Sequence, residues 1–158
     1  MKLGQDELLR QIQKEKVVFI EPGKPFAAGM KLEAIFSSMK GVIRICDPFV
    51  DVKTLDVLYR SATPGLMIKL LTIQIKDSSS FKREVLKLQH EGYNIDVRTV
   101  SAGQLHDRYF IDDIHFWLSG NSLNNIGRKE SFVVALNGDI RKSMLQTFDS
   151  RWQSAITI

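Results

Sequence analysis

The sequence offers a single cysteine, Cys46, in 158 residues, so no intramolecular disulfide can staple it. Placed between Ile45 and Asp47 at the close of an apolar run, that thiol is read as a small buried hydrophobe in a reducing compartment. No apolar stretch approaches the roughly 20 residues of a transmembrane helix. Lys2, Gln5, Asp6, Glu7 and Arg10 interrupt the apolar core that a signal peptide requires, which makes cytoplasmic location the expectation. Internal repeats, low-complexity tracts and linkers are absent as well, and residues 1–158 are read as one domain. What is present is an ordinary globular composition, 44% hydrophobic and 25% charged, which excludes disordered and fibrous classes. A formal net charge of +4 leans weakly toward a polyanionic partner, nucleic acid or an anionic phospholipid surface.

Hydrophobic periodicity predicts a helix from about Gln5 to Lys14, a strand at Val17 to Ile20 and a second helix from Phe26 to Met39. Val42 to Cys46 is β-branched and stopped by Asp47-Pro48, as a strand should be. A helix capped by Asp51 and Thr54 follows, then the strand-like run LMIKLLTIQI, a helix opened by Ser78-Ser79-Ser80 and closed by Gly92, and the strand NIDVRTV. This alternation implies an α/β fold: a mixed, largely parallel sheet with helices on both faces. QLHDRYFIDD, IHFWLSG and SFVVALN then read as hairpin-like strands, and the last helix turns Met144, Leu145, Phe148 and Trp152 inward.

Of the three histidines, His90 lies beside charged residues near a helix end and His115 within an aromatic strand, and neither position suggests chemistry. His106 and Arg108 are two apart in an expected strand, which directs both to one face about 7 Å apart. Imidazole is a nucleophile or proton carrier near neutral pH, and guanidinium is a planar fork matched to phosphate oxygens. Alone, H-x-R is too short to carry an argument. Asp113 follows after four residues, however, then Gly120 after six more, then Asn121, Ser122, Leu123 and Asn124. This spacing resembles the phospholipase D signature H-x-K-x4-D-x6-G-S-x-x-N. His106, Asp113, Gly120 and Asn124 match in type; Arg108 replaces the lysine and Asn121 the serine, with Ser122 adjacent. Glu130, the closing Phe148 to Trp152 segment, and Asp47 at the end of VIRIC fit the same resemblance, which spans roughly Val42 to Trp152.

The resemblance implies a phospholipase D-like fold and a histidine that attacks phosphorus while a second histidine protonates the leaving oxygen. With one motif copy, the two histidines would come from a homodimer, His106 facing His106 across a twofold axis. Arg108 and Asn124 would hold the non-bridging oxygens, Glu130 would orient the imidazole, and Asp113 would brace the loop. The chemistry implied needs no metal and no cofactor, and no ligand set with metal spacing is evident. Three functions are open at this point. First comes a metal-independent, nuclease-like phosphodiesterase. Second is a catalytically silent module that binds nucleic acid, phosphoinositide or a protein, favoured by the departures at Arg108 and Asn121. Third is a dimerising domain of a larger protein assembly, using the C-terminal helix with Ile156 and Ile158.

Overall fold

A computed structural model describes residues 4–158. In chain order its elements are α1 (Gln5–Glu15), β1 (Val17–Ile20), α2 (Pro25–Ser37), β2 (Val42–Cys46), β3 (Phe49–Val50), α3 (Val52–Ser61), β4 (Met67–Thr72) and β5 (Gln74–Ile75). There follow α4 (Ser78–His90), β6 (Asn94–Thr99), β7 (Arg108–Ile111), β8 (Phe116–Ser119), a 3-10 turn at Leu123–Asn125, β9 (Ser131–Leu136), α5 (Gly138–Ser154) and β10 (Ile156–Thr157). Eight strands form one mixed sheet in the order β1-β9-β8-β7-β2-β4-β6-β10, while β3 and β5 make a small parallel ribbon. Parallel pairing is confined to β2-β4 and β4-β6 within the large sheet; every other pair in it is antiparallel. The α/β alternation is therefore real but covers only the centre, because β1 crosses over to pair with β9 instead of lying beside β2.

Alternation along the strands splits the core in two. Ile43 and Ile45 of β2, Ile68 and Leu70 of β4, and Phe110 of β7 point to the face covered by α1 to α4, meeting Leu32, Ile35, Phe36, Leu55, Leu58 and Phe81. Cys46, Leu71, Tyr109, Ile111 and Phe116 face α5, which presents Phe148 and Trp152 with their rings stacked. The Cys46 thiol is fully buried, and loss of solvation pushes its pKa up to about 12, so it is an inert apolar group as expected. The expected α5 covers its own sheet, and β10, which the sequence pattern did not suggest, fastens the segment after it onto β6.

Local chemistry explains several boundaries. Pro25 opens α2, where its fixed φ and missing N–H do no harm. The expected capping of α3 is present as a capping box: the Asp51 side chain accepts from the Lys53 N–H, and the Thr54 hydroxyl oxygen accepts from the Asp51 N–H. The serine cluster does not cap α4; Asp77, with φ of 52°, precedes the helix, and Ser78 to Ser80 form its first turn.

Candidate functional site

The site is built around a buried carboxylate at the carboxyl end of β2. Asp47 is 1% exposed, and its two oxygens accept from the Ser122 hydroxyl at 2.7 Å, the Leu123 N–H at 2.9 Å and the Phe49 N–H at 3.2 Å. Burial raises its pKa above the ordinary carboxylate value, against the opposing pull of these bonds and of the Arg108 charge. Arg108 opens β7 next to this position and donates from Nε to the Ser122 Oγ at 2.8 Å. A guanidinium, a hydroxyl and a carboxylate thus form one relay that ties β7, the polar loop after β8, and β2 together.

The guanidinium stands in the wall of an open cleft of about 380 Å3, lined also by Lys53, Lys76 and Arg128, by Asn121, Ser122, Asn124 and Asn125, and by Phe49 and Asp51. Four cations thus face one carboxylate, and Asp51 is already engaged as the cap of α3. Among the described residues no acid forms an ion pair with Lys53, Lys76, Arg108 or Arg128, unlike Arg44, Arg60 and Lys87 elsewhere. The Asn121, Asn124 and Asn125 side-chain amides likewise have no hydrogen-bond partner among the described residues and remain available to a ligand. Such a concave, predominantly cationic array of donors is suited to an anion with several oxygens.

No protein-family model matches the chain, and no curated protein matches it. Solved structures do. NucT from Helicobacter pylori superposes with a TM-score of 0.63 at 11% identity, over 90% of this chain and 99% of its own. Nuc from Salmonella typhimurium, a phospholipase D family member, gives 0.60 at 15% identity, over 90% and 95%. This chain has the phospholipase D fold. The archaeal chromatin protein TrmBL2, described as showing a novel mode of DNA binding, gives 0.55 at 14% identity over 98% of this chain, which spans 62% of the TrmBL2 chain.

Within the phospholipase D fold, the residues singled out by sequence are only partly assembled. Arg108, Asn121, Ser122 and Asn124 line the cleft, and Asp47 supports them from below. Gly120 serves packing: a Cβ there would meet Ser131 Oγ at 3.0 Å and the Phe132 carbonyl at 3.3 Å, so β8 approaches β9 only with glycine in place. His106 lies outside β7, on an exposed approach segment, and is not among the cleft-lining residues. The expected strand begins two residues later than His106, because the 101–107 segment has no ladder partner. Glu130 is exposed and makes no hydrogen bond to His106, and among the described residues none bonds to the imidazole.

Asp113 is also away from the cleft, at the far end of β7, 82% exposed and 3.9 Å from Arg44 Nη1. The residue that braces the β7-β8 turn is its neighbour Asp112, which accepts from the Lys40, Ile114 and His115 N–H groups and the His115 Nδ1. Burial works to raise its pKa, yet these donors together hold it below the ordinary value. Asp112 therefore contributes stability above the unfolded carboxylate pKa of about 3.9, and that contribution is lost as pH falls through its lower folded value. Asp112→Asn is expected to cost about 2 kcal/mol at pH 7. In urea melts across pH, the gap from wild type should narrow as pH falls below the unfolded carboxylate pKa of about 3.9.

Sequence reasoning missed Lys53, Lys76, Arg128 and Phe49. They come from β3, the first turn of α3, the segment after β5 and the loop before β9, and only the topology brings them to one place. The one signal available was the basic residues flanking the Asp51 cap and following Asn125 in GRK.

Proposed function

We propose that this chain binds nucleic-acid phosphodiesters in the Arg108 cleft. The observation that carries the reading is the relay from Asp47 through Ser122 to Arg108, which fixes a guanidinium beside Lys53, Lys76 and Arg128 in a cleft whose lining holds one carboxylate, Asp51. Holding the Nε edge by Ser122 leaves the remaining N–H groups of the fork for phosphate oxygens. The weakly basic balance agrees, as does a DNA-binding protein among the chains that share this fold. Fluorescence anisotropy with labelled DNA or RNA tests the reading. Binding should fall with salt, with a log–log slope between about −2 and −4 if most of the four cations engage phosphates. Absence of binding at low salt would remove the proposal.

A second reading is hydrolysis. It is favoured by the His106 imidazole, which emerges two residues before Arg108 and forms no hydrogen bond or ion pair among the described residues. In that reaction His106 would form an N–P bond as the P–O bond to the leaving group breaks, a second imidazole would protonate the departing oxygen, and water would then release the phosphoryl group. His90 ends α4 and His115 is bonded to Asp112 at the opposite end of the β7-β8 hairpin, so the proton donor would have to be His106 of a second copy. Nuclease assays in EDTA are expected to show cleavage that vanishes in His106→Asn while anisotropy is retained. Silent wild type with intact binding would leave a binding module.

A further inference from the structure

The cleft carries a feature that phosphate binding does not require. Phe49 sits on its wall, 49% exposed. Phe19, Phe132 and Tyr59, also exposed, each have an aromatic neighbour: Phe19 lies against Phe132 at 5.1 Å, and Tyr59 against Tyr93 at 5.4 Å. Among the described residues no ring or cation lies over Phe49. Nor is Phe49 on a loose loop. Its N–H is held by Asp47, the carboxylate that also holds Ser122 and the polar loop, and its strand β3 pairs with β5 in the register Phe49 to Gln74. The next residue, Val50, is buried and accepts from the Lys76 N–H, so the ring and one of the cleft's lysines share a frame.

Resting on the reading of the cleft as a phosphodiester site, we infer that its substrate class is single-stranded nucleic acid, with one unpaired base stacked on Phe49. A duplex keeps its bases stacked inside and presents phosphates to the protein, leaving a recessed aromatic ring without a partner. A single strand can turn a base outward onto such a ring while cations track the backbone beside it. The cleft's volume of about 380 Å3 is enough to admit a nucleotide unit. Asn121, Asn124 and Asn125 add amides that can both donate to and accept from a base edge, whereas a lipid phosphate would need donors only.

The test compares one sequence as single-stranded DNA, as single-stranded RNA, as a blunt duplex and as an abasic strand of equal charge, by anisotropy with wild type, Phe49→Ala and Phe49→Trp. Wild type is expected to prefer either single strand over the duplex by about 10-fold or more. Phe49→Ala should lose about 10-fold on the base-bearing strands, leave the abasic strand and duplex unchanged, and be rescued by Phe49→Trp. Circular dichroism melts confirm that both variants fold. Equal affinity for duplex and single strand, or indifference to Phe49→Ala while Arg108→Glu still abolishes binding, overturns the stacking inference and leaves the phosphate site standing. If no oligonucleotide binds, or if vesicles containing phosphatidylserine bind in their place, the inference falls together with the nucleic-acid reading.

Discussion

Asp47→Ala is expected to lower the free energy of unfolding by about 3 to 4 kcal/mol and to abolish anion binding in whatever protein remains folded. The carboxylate is the sole acceptor for three donors drawn from two segments: the Phe49 N–H, the Leu123 N–H and the Ser122 hydroxyl. Each buried donor left without an acceptor costs about 1 to 3 kcal/mol. The lower end of that range applies, because the group removed was itself held in an environment that disfavours its charge. Asp47→Asn keeps one acceptor oxygen and should cost far less. The pH dependence separates the two contributions. A carboxyl whose folded pKa is raised gives its full stability below the unfolded pKa of about 3.9 and loses it as pH rises through the folded value. Asp47→Asn should therefore compare more favourably with wild type at pH 7 than at pH 4, the opposite trend to Asp112→Asn. Urea denaturation at both pH values, followed by circular dichroism, measures the pair.

Arg108→Glu is expected to weaken nucleic-acid binding by at least about 100-fold at low salt. The substitution removes a charge-assisted bond of about 1.5 to 3 kcal/mol and sets a carboxylate facing the phosphate, and each 1.4 kcal/mol is tenfold in affinity. It also places a second acid near Asp47, so a lowered melting temperature should accompany the loss. Arg108→Lys gives the cleaner comparison. It retains the charge but not the planar fork, and lysine cannot offer one edge to Ser122 while presenting another to the ligand. A drop of about tenfold with an almost unchanged salt slope is expected, because the slope counts charges neutralised and not the geometry of the bonds. Anisotropy titrations over a salt series measure both quantities; unchanged affinity in Arg108→Glu would remove Arg108 from the site.

Much of this arrangement can be read from residue order, and the reasons for the exceptions are physical. β1, β2 and the inner face of α5 carry strong local periodicity, and their expected positions agree with the structure to within a residue or two. The antiparallel seating of β1 beside β9 could not be read, since a strand of four apolar residues carries no mark of its partner. In the site, the spacing from Arg108 to Asn124 was informative because both lie on one hairpin and its following loop, where register is set locally. Glu130 was placed beside His106 by analogy of spacing alone, and the distance between β9's entry and the 101–107 segment is decided by the sheet. Asp112 and Asp113 are adjacent and chemically identical. Only the turn geometry tells which of them points inward to collect four hydrogen bonds and which stays in water.

The crossover of β1 has a consequence for how the molecule is made. β1 has only β9 as its neighbour in the sheet, and β10 has only β6, so these two strands hem opposite margins of one fabric. A nascent chain emits β1 well before β9 and must keep that apolar strand waiting until β9 has left the ribosome, and contacts so distant along the chain are slow to close. The same arrangement guards the finished product. Each hem is only a few residues long, and so short an outermost strand offers other molecules little backbone to zip against.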